Sequence, residues 1–174
     1  MKYKKTFTFF FFLVIQVCFS QISMVTWNVK HFGKSKTEEQ LNKIADLLKN
    51  HDLVAIQEVV ASNAGARAVS KLARILNEKG AKWDYAISHP TQSTGQRSER
   101  YAYFWKTSKL KLKGSPFLED QYANQIEREP FLATFIYENK IFSVVNFHAL
   151  PKKSQPETEI KYFKFFKNHY NDIV

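Results

Sequence analysis

Apolar positions along the chain follow two different periods. ISMVTWNV (22–29) is β-branched and apolar and reads as a first strand. KTEEQLNKIADLLKN follows, with Leu41, Ile44 and Leu48 recurring at helical spacing and Thr37 and Gln40 placed for a capping box. LVAIQEVV (53–60) returns to strand character. SNAGARAVSKLARILNEKG then gives a second amphipathic helix, with Val69, Leu72 and Leu76 on one face and Gly80 as its stop. The next stretch is rich in strands: WDYAIS (83–88), RYAYFWK (100–106), KLKLKG (109–114), FLATFIYE (131–138) and IFSVVNF (141–147), the last two joined by a turn at Asn139-Lys140. Ser154 and Glu157 have capping-box spacing and predict a helix running to about Tyr170, after which Asp172-Ile173-Val174 begins another strand. Strand, helix, strand, helix and then several strands predict an α/β sandwich with helices on its outer face.

LVAIQEVV raises a question of cost. A strand this apolar is expected to be buried on both faces, yet Glu58 stands near its end, and an unpaired charge is expensive to bury. Other polar groups also sit where apolar runs begin or finish. Asn28 closes MVTWN, Glu99 opens ERYAYFW, His148 follows SVVNF, and Arg128 and Glu129 precede Pro130 and FLATF. Each has a plain structural explanation: a turn between Asn28 and Gly33, a surface lysine paired with Glu58, a carbonyl bonded to His148, an exposed Glu99–Arg100 pair. As a set they fit a functional site, because a rigid sheet fixes side chains supplied at its strand ends. The chemistry they suit is metal-assisted phosphodiester hydrolysis. A carboxylate with an amide partner matches Mg²⁺, a histidine exchanges a proton with water or leaving oxygen, a second carboxylate orients that histidine, and an arginine clamps phosphate oxygens.

The N-terminus changes how the remainder is weighed. Residues 1–20 place Lys2, Lys4 and Lys5 before an apolar stretch from Phe9 to Val17 and end on Ser20, the three-part pattern of a secretory signal peptide. The apolar part is short for a membrane span, so residues 21–174 are expected to be secreted or periplasmic without a stable membrane anchor. A lipoprotein site at Cys18 is the rival reading, with Val17 where a small residue is expected. Cys18 is the single cysteine, so cleavage leaves no thiol for a disulfide or a thiolate metal site. The formal charge is +10, of which those first residues hold three positive charges and no acid, leaving +7. Such an excess favours polyanionic partners. No protein partner is indicated.

TWNVKHFG, LVAIQEVV, SERYAYFWK, EREPFLATF and VVNFHALP resemble, in this order, the endonuclease/exonuclease/phosphatase superfamily, and most of all its deoxyribonuclease I-like branch. The resemblance covers about Met24 to Val174. It implies a four-layer αββα sandwich and a divalent cation, Mg²⁺ with Mn²⁺ and Ca²⁺ as alternatives. It also implies roles: Glu58 and Asn28 at the metal, His148 catalytic with Glu99 orienting it, and Arg128 on the substrate phosphate. Arg97 stands where deoxyribonuclease I has a tyrosine and is expected to touch phosphates as well. Val60 stands where that enzyme has an arginine for the DNA minor groove. Family members continue into a Gly-Asp-x-Asn motif and later a Ser-Asp-His motif, and neither occurs here.

The chain is therefore expected to be the N-terminal part of such a domain, inactive alone, with one apolar sheet face bare and the isolated 21–174 segment insoluble or molten. For the protein that carries it, three readings stand. One is a secreted DNA endonuclease. Another is a lipid or sugar phosphoesterase of the same superfamily, and the last is an inactive fragment or binding module.

Overall fold

In the computed structural model, residues 21–93 and 98–170 are described. The signal-peptide reading of residues 1–20, the strand expected at 172–174 and the phosphate contact expected of Arg97 all fall outside them.

Strand β1 (Met24–Phe32) leads into helix α1 (Glu38–Leu48) and back to β2 (Leu53–Val60), which pairs with β1 in parallel. Helix α2 (Asn63–Glu78) then leads to β3 (Trp83–Ile87) and β4 (Glu99–Lys106). The first sheet has the order β1-β2-β4-β3, with β4 antiparallel to both neighbours. Strands β5 (Lys111–Leu118), β6 (Phe131–Tyr137) and β7 (Lys140–Asn146) form an antiparallel meander, the second sheet.

Period-two alternation decides what each face of the first sheet touches. Val54 and Ile56 of β2 and Ala102 and Phe104 of β4 meet Leu41, Ile44, Leu48, Val69, Leu72 and Leu76 of the two helices. Leu53, Ala55, Tyr101, Tyr103 and Trp105 point the other way, onto Phe131, Ala133, Phe135 and Val144 of the second sheet. The Tyr103 hydroxyl lies 2.9 Å from the carbonyl oxygens of both Phe131 and Val144 and donates between them, tying the sheets together where a buried hydroxyl needs acceptors. On the far face of the second sheet, Leu132 and Val145 pack against Phe163, Phe166 and Tyr170. The layers thus run helix pair, sheet, sheet, helical segment.

This ordering corrects the expectation of a bare apolar sheet. Both sheets lie within the described residues, and each covers the other.

Local signals held where their geometry is autonomous. The Thr37–Gln40 capping box forms in both directions, and Gly80 takes φ +99° just beyond α2. Three expectations shift. The β6–β7 turn is Glu138-Asn139, one residue earlier, with Glu138 at φ 52° and Tyr137 paired to Lys140. The KLKLKG strand starts at Lys111 and extends to Leu118 through an irregularity between Lys113 and Phe117. The Ser154–Glu157 capping box does not form. Ser154 ends a 3₁₀ turn (Lys152–Ser154), Gln155 takes φ 53°, and the helical run starts after Pro156 without a side-chain cap. That run is short and broken: α3 (Glu157–Ile160), a 3₁₀ segment (Lys161–Phe165) and α4 (Phe166–His169). Aromatic packing on the second sheet, through Phe163, Phe166 and Tyr170, holds it in place rather than a regular helical ladder.

Candidate active site

The site begins with two interruptions of strand pairing in the first sheet, one between β2 and β4 and one between β1 and β2. Ile56 and Val59 both face the helix-side core although they are three apart, and the β2–β4 register shifts between them. One residue must therefore be extruded, a β-bulge. Glu58 is that residue, with φ 58°, a left-handed value that bulky L-residues adopt at a cost. A regular strand would drive the carboxylate into the helix core; the bulge turns it outward. On β1, Asn28 pairs with Gln57 and Phe32 with Val59, so two extra residues are spent opposite the bulge, and His31 takes φ 51°. Asn28 thus precedes an irregularity inside β1 rather than closing the strand.

The two interruptions face each other. Asn28 Nδ2 donates to Glu58 Oε1 at 3.0 Å, and the His31 backbone N–H donates to Oε2 at 3.3 Å. Partial burial pushes the Glu58 carboxyl up, but these two donors, with the nearby His148 and His31 rings, outweigh it and leave the group below the usual carboxylate range.

His148 arrives from the segment after β7. Its Nδ1 lies 2.9 Å from Glu99 Oε2 and 3.0 Å from Arg128 Nη1. Two donors cannot share one hydrogen bond and a carboxylate only accepts, so the ring is Nδ1–H, donating to Glu99. Arg128 Nη1 donates to the same carboxylate at 3.0 Å and Nη2 to the Ala149 carbonyl at 2.9 Å, while its buried Nε has no partner among the described residues. Glu99 and Arg128 form a buried ion pair, each less than a tenth exposed, so Glu99 is not half of an exposed pair with Arg100. Nε2 of His148 is left with its lone pair, 3.3 Å from Asn28 Nδ2 and 3.8 Å from Glu58 Oε1.

Glu58, Arg128 and His148 open onto a cleft of about 410 Å³ completed by Ala149, Leu150, Pro151, Lys153 and Ser154. Val60, Ala61, Ser98 and His31 line a recess on the other side of the same three residues. Five of the six sequence-derived candidates (Asn28, Glu58, Glu99, Arg128 and His148) are therefore in one cluster; the sixth is Arg97.

Supporting residues escaped the sequence reading. Gln57 donates to Thr26 Oγ1 at 2.9 Å and to Asn146 Oδ1, and Asn146 Nδ2 donates to the carbonyls of Ile56 at 3.1 Å and Ala102 at 3.3 Å. This buried network fixes the neighbours of Glu58 and His148 across the two sheets. Its signal was a lone amide inside each apolar run, IQE and VVNFH. The Tyr101 hydroxyl receives the His148 backbone N–H at 3.3 Å; burial first, and then the Glu99 charge, push its pKa far up, so it stays neutral. Glu159, 2% exposed, accepts the Leu150 N–H at 2.6 Å and the Glu127 N–H at 3.1 Å, strapping the His148 segment to the Arg128 segment. Nothing in ETEI marked Glu159, since an acid on a short helix usually faces water.

The Endonuclease/Exonuclease/phosphatase family model matches residues 25–166. The chain belongs to this family. No curated protein sequence matches it. Among solved structures, an endonuclease/exonuclease/phosphatase family protein from Leptotrichia buccalis C-1013-b superposes with a TM-score of 0.62 at 15% identity, over 87% of this chain and 62% of that one. TDP2 of D. rerio complexed with single strand DNA product gives 0.57 at 15% identity, over 87% and 57%. The human Nocturnin catalytic domain with bound sulfate anion gives 0.53 at 14%, over 87% and 61%. At these identities the likeness is one of fold, and the chain spans about three fifths of the length of the structures it matches. The family's αββα layering is the layering described above.

Whether the residues present suit a divalent cation is a question of donors. No cluster of three or more His, Cys, Asp or Glu able to hold a metal ion occurs among the described residues. Glu58 is nonetheless held ionised, and Asn28 Oδ1 has no hydrogen-bond partner among them. One carboxylate and one amide oxygen at a solvent-open cleft match a hard cation that keeps much of its own water.

Proposed function

We propose that this cleft carries phosphodiester hydrolysis, with DNA as substrate and Mg²⁺ as cofactor, in an exported protein. The supporting observation is the tautomer-fixed His148, its Nδ1–H held by Glu99 and its Nε2 lone pair facing Asn28 and Glu58 at the mouth of the cleft. DNA is favoured by the formal charge of +7 left on residues 21–174 and by the single strand DNA product bound to D. rerio TDP2.

Glu58 and Asn28 would hold the cation. Bound there, it would supply a Lewis acid that neutralises charge on the phosphoryl oxygens. The chain's own groups do the rest. His148 Nε2 accepts a proton from the attacking water, and Glu99 stabilises the imidazolium that forms. Arg128, already neutralised by Glu99, positions that pair at the cleft wall. Lys153, which lines the cleft and has no ionic partner among the described residues, would meet substrate oxygens. A water oxygen bonds to phosphorus as the bond to the leaving oxygen breaks; the leaving oxygen takes a proton from solvent, and the His148 imidazolium returns its own proton to solvent.

In the protein that carries this chain, Glu58→Ala and His148→Ala should each abolish plasmid nicking, and EDTA should do the same until Mg²⁺ is restored. Nicking that survives both substitutions overturns the proposal. Val60, which lines the recess beside the cleft and stands where deoxyribonuclease I has a DNA-binding arginine, favours the second reading, a lipid or sugar phosphoesterase. Faster turnover of sphingomyelin or phosphoinositides than of DNA would select it. Export is tested on the secreted material, whose N-terminus should be Gln21.

A further inference from the structure

Beyond the catalytic cluster, the β1–α1 loop and the start of α2 enclose a small recess of about 130 Å³. It is lined by Lys34, Lys36, Arg67 and Lys71 with Gly33, Leu41, Ala64 and Ala68, and by no acid. Its neighbours account for part of this charge. Lys71 Nζ meets Glu38 at 2.6 Å, and Lys36 Nζ donates to the Lys30 carbonyl at 2.6 Å. The Lys34 and Arg67 side chains are exposed and have no hydrogen-bond or ionic partner among the described residues, Arg67 being bonded through its backbone, whose carbonyl accepts from Ser70 Oγ. Cations gathered around so small a space repel one another unless an anion joins them.

The recess also adjoins the cleft. Gly33 lies so close to Val60 that a Cβ there would sit 2.4 Å from Val60 Cγ2, and Val60 and Ala61 line the catalytic recess. A nucleic acid strand that ran from the catalytic recess past Val60 would come to Gly33 and the basic recess beyond it.

We infer that this recess binds a backbone phosphate of the nucleic acid substrate, away from the bond that is cut. The inference rests on the proposed function and adds a second anchoring point to it. Because Val60 offers no cation, grip on that side falls to the next turn of α2, where Arg67 lies, and to the loop before α1, where Lys34 lies. Such a contact positions the strand without reading its bases.

The test uses Lys34→Gln/Arg67→Gln in the full protein, with Lys109→Gln/Lys111→Gln as a control that removes equal charge from the recess at the other end of β4. Binding to a 30-mer DNA is followed by fluorescence anisotropy between 50 and 200 mM NaCl, and turnover is followed on both plasmid and bis(p-nitrophenyl) phosphate. The recess variant should bind DNA about tenfold more weakly, with the salt slope reduced by about one for each cation removed. It should lose plasmid turnover at limiting DNA while keeping turnover of the small diester, which is too short to reach the recess. Equal losses in the control variant, or unchanged DNA binding in the recess variant, overturn the inference. So does weakened binding to phosphatidylserine vesicles or to inorganic phosphate with DNA binding intact. Glu58→Ala separates the two ideas: if it spares turnover, the catalytic proposal fails, while the binding comparison still judges the recess.

Discussion

Glu58 shows how a single backbone choice converts a liability into a site. Its left-handed conformation turns the carboxylate away from the helix core, and Asn28 and the His31 N–H repay part of the strain. Because these donors hold its folded pKa below the ordinary 4.5, its ionised form stabilises the fold above that pH, and the contribution fades as pH falls through the lower folded value. Glu58→Gln should therefore flatten the acid limb of stability below pH 4.5, read from urea midpoints at a series of pH values. Glu99 is the more heavily used acid, with His148 and Arg128 both dependent on it. Glu99→Gln strands a buried guanidinium, so we expect a loss of about 3–5 kcal/mol in denaturant unfolding. It should also release the fixed tautomer of His148, visible in ¹⁵N chemical shifts of the ring.

At the scale of elements, the junction between β2 and α2 sets where Glu58 stands. Gly65 lies in the first turn of α2 against the Val60 carbonyl, and a Cβ there would sit 2.1 Å from that oxygen. Backbone cannot yield as a flexible side chain would. Gly65→Ala should cost about 1–3 kcal/mol by overpacking and should lower activity by displacing the bulge, which a stability measurement paired with turnover would detect. The Glu159 strap acts on the opposite wall. Glu159→Ala leaves the Leu150 and Glu127 N–H groups without their acceptor, so amide exchange should accelerate at Leu150 and Glu127 while the core of β2 keeps its protection. Of these elements, α1, α2 and the strands of the first sheet were legible because their periodicity and caps are local. The C-terminal run was not. Its Ser154–Glu157 spacing mimics a capping box, but contacts of Phe163, Phe166 and Tyr170 with the second sheet decide its path.

For the whole molecule, the covering of one sheet by the other changes the expected behaviour in solution. The exposed large apolar side chains, among them Leu47, Phe117 and Ile160, come from different elements rather than from one bare sheet face. Residues 21–174 should accordingly unfold in one cooperative transition and bind little ANS at neutral pH; a molten, dye-binding state would contradict this packing. Among the described residues, no helix is long and apolar enough to cross a membrane.

Sequence alone determined the alternation of strands and helices, the family's motifs and the residue types capable of the chemistry, because propensity, capping and period are properties of neighbouring residues. It marked Glu58 as anomalous inside an apolar run but gave no reason for its tolerance. Tertiary structure decided the rest. The bulge, the Gln57–Asn146 network, the burial of the Glu99–Arg128 pair and the Glu159 strap join residues far apart in the chain, and their energies come from desolvation and hydrogen-bond satisfaction that exist only once the two sheets have closed together.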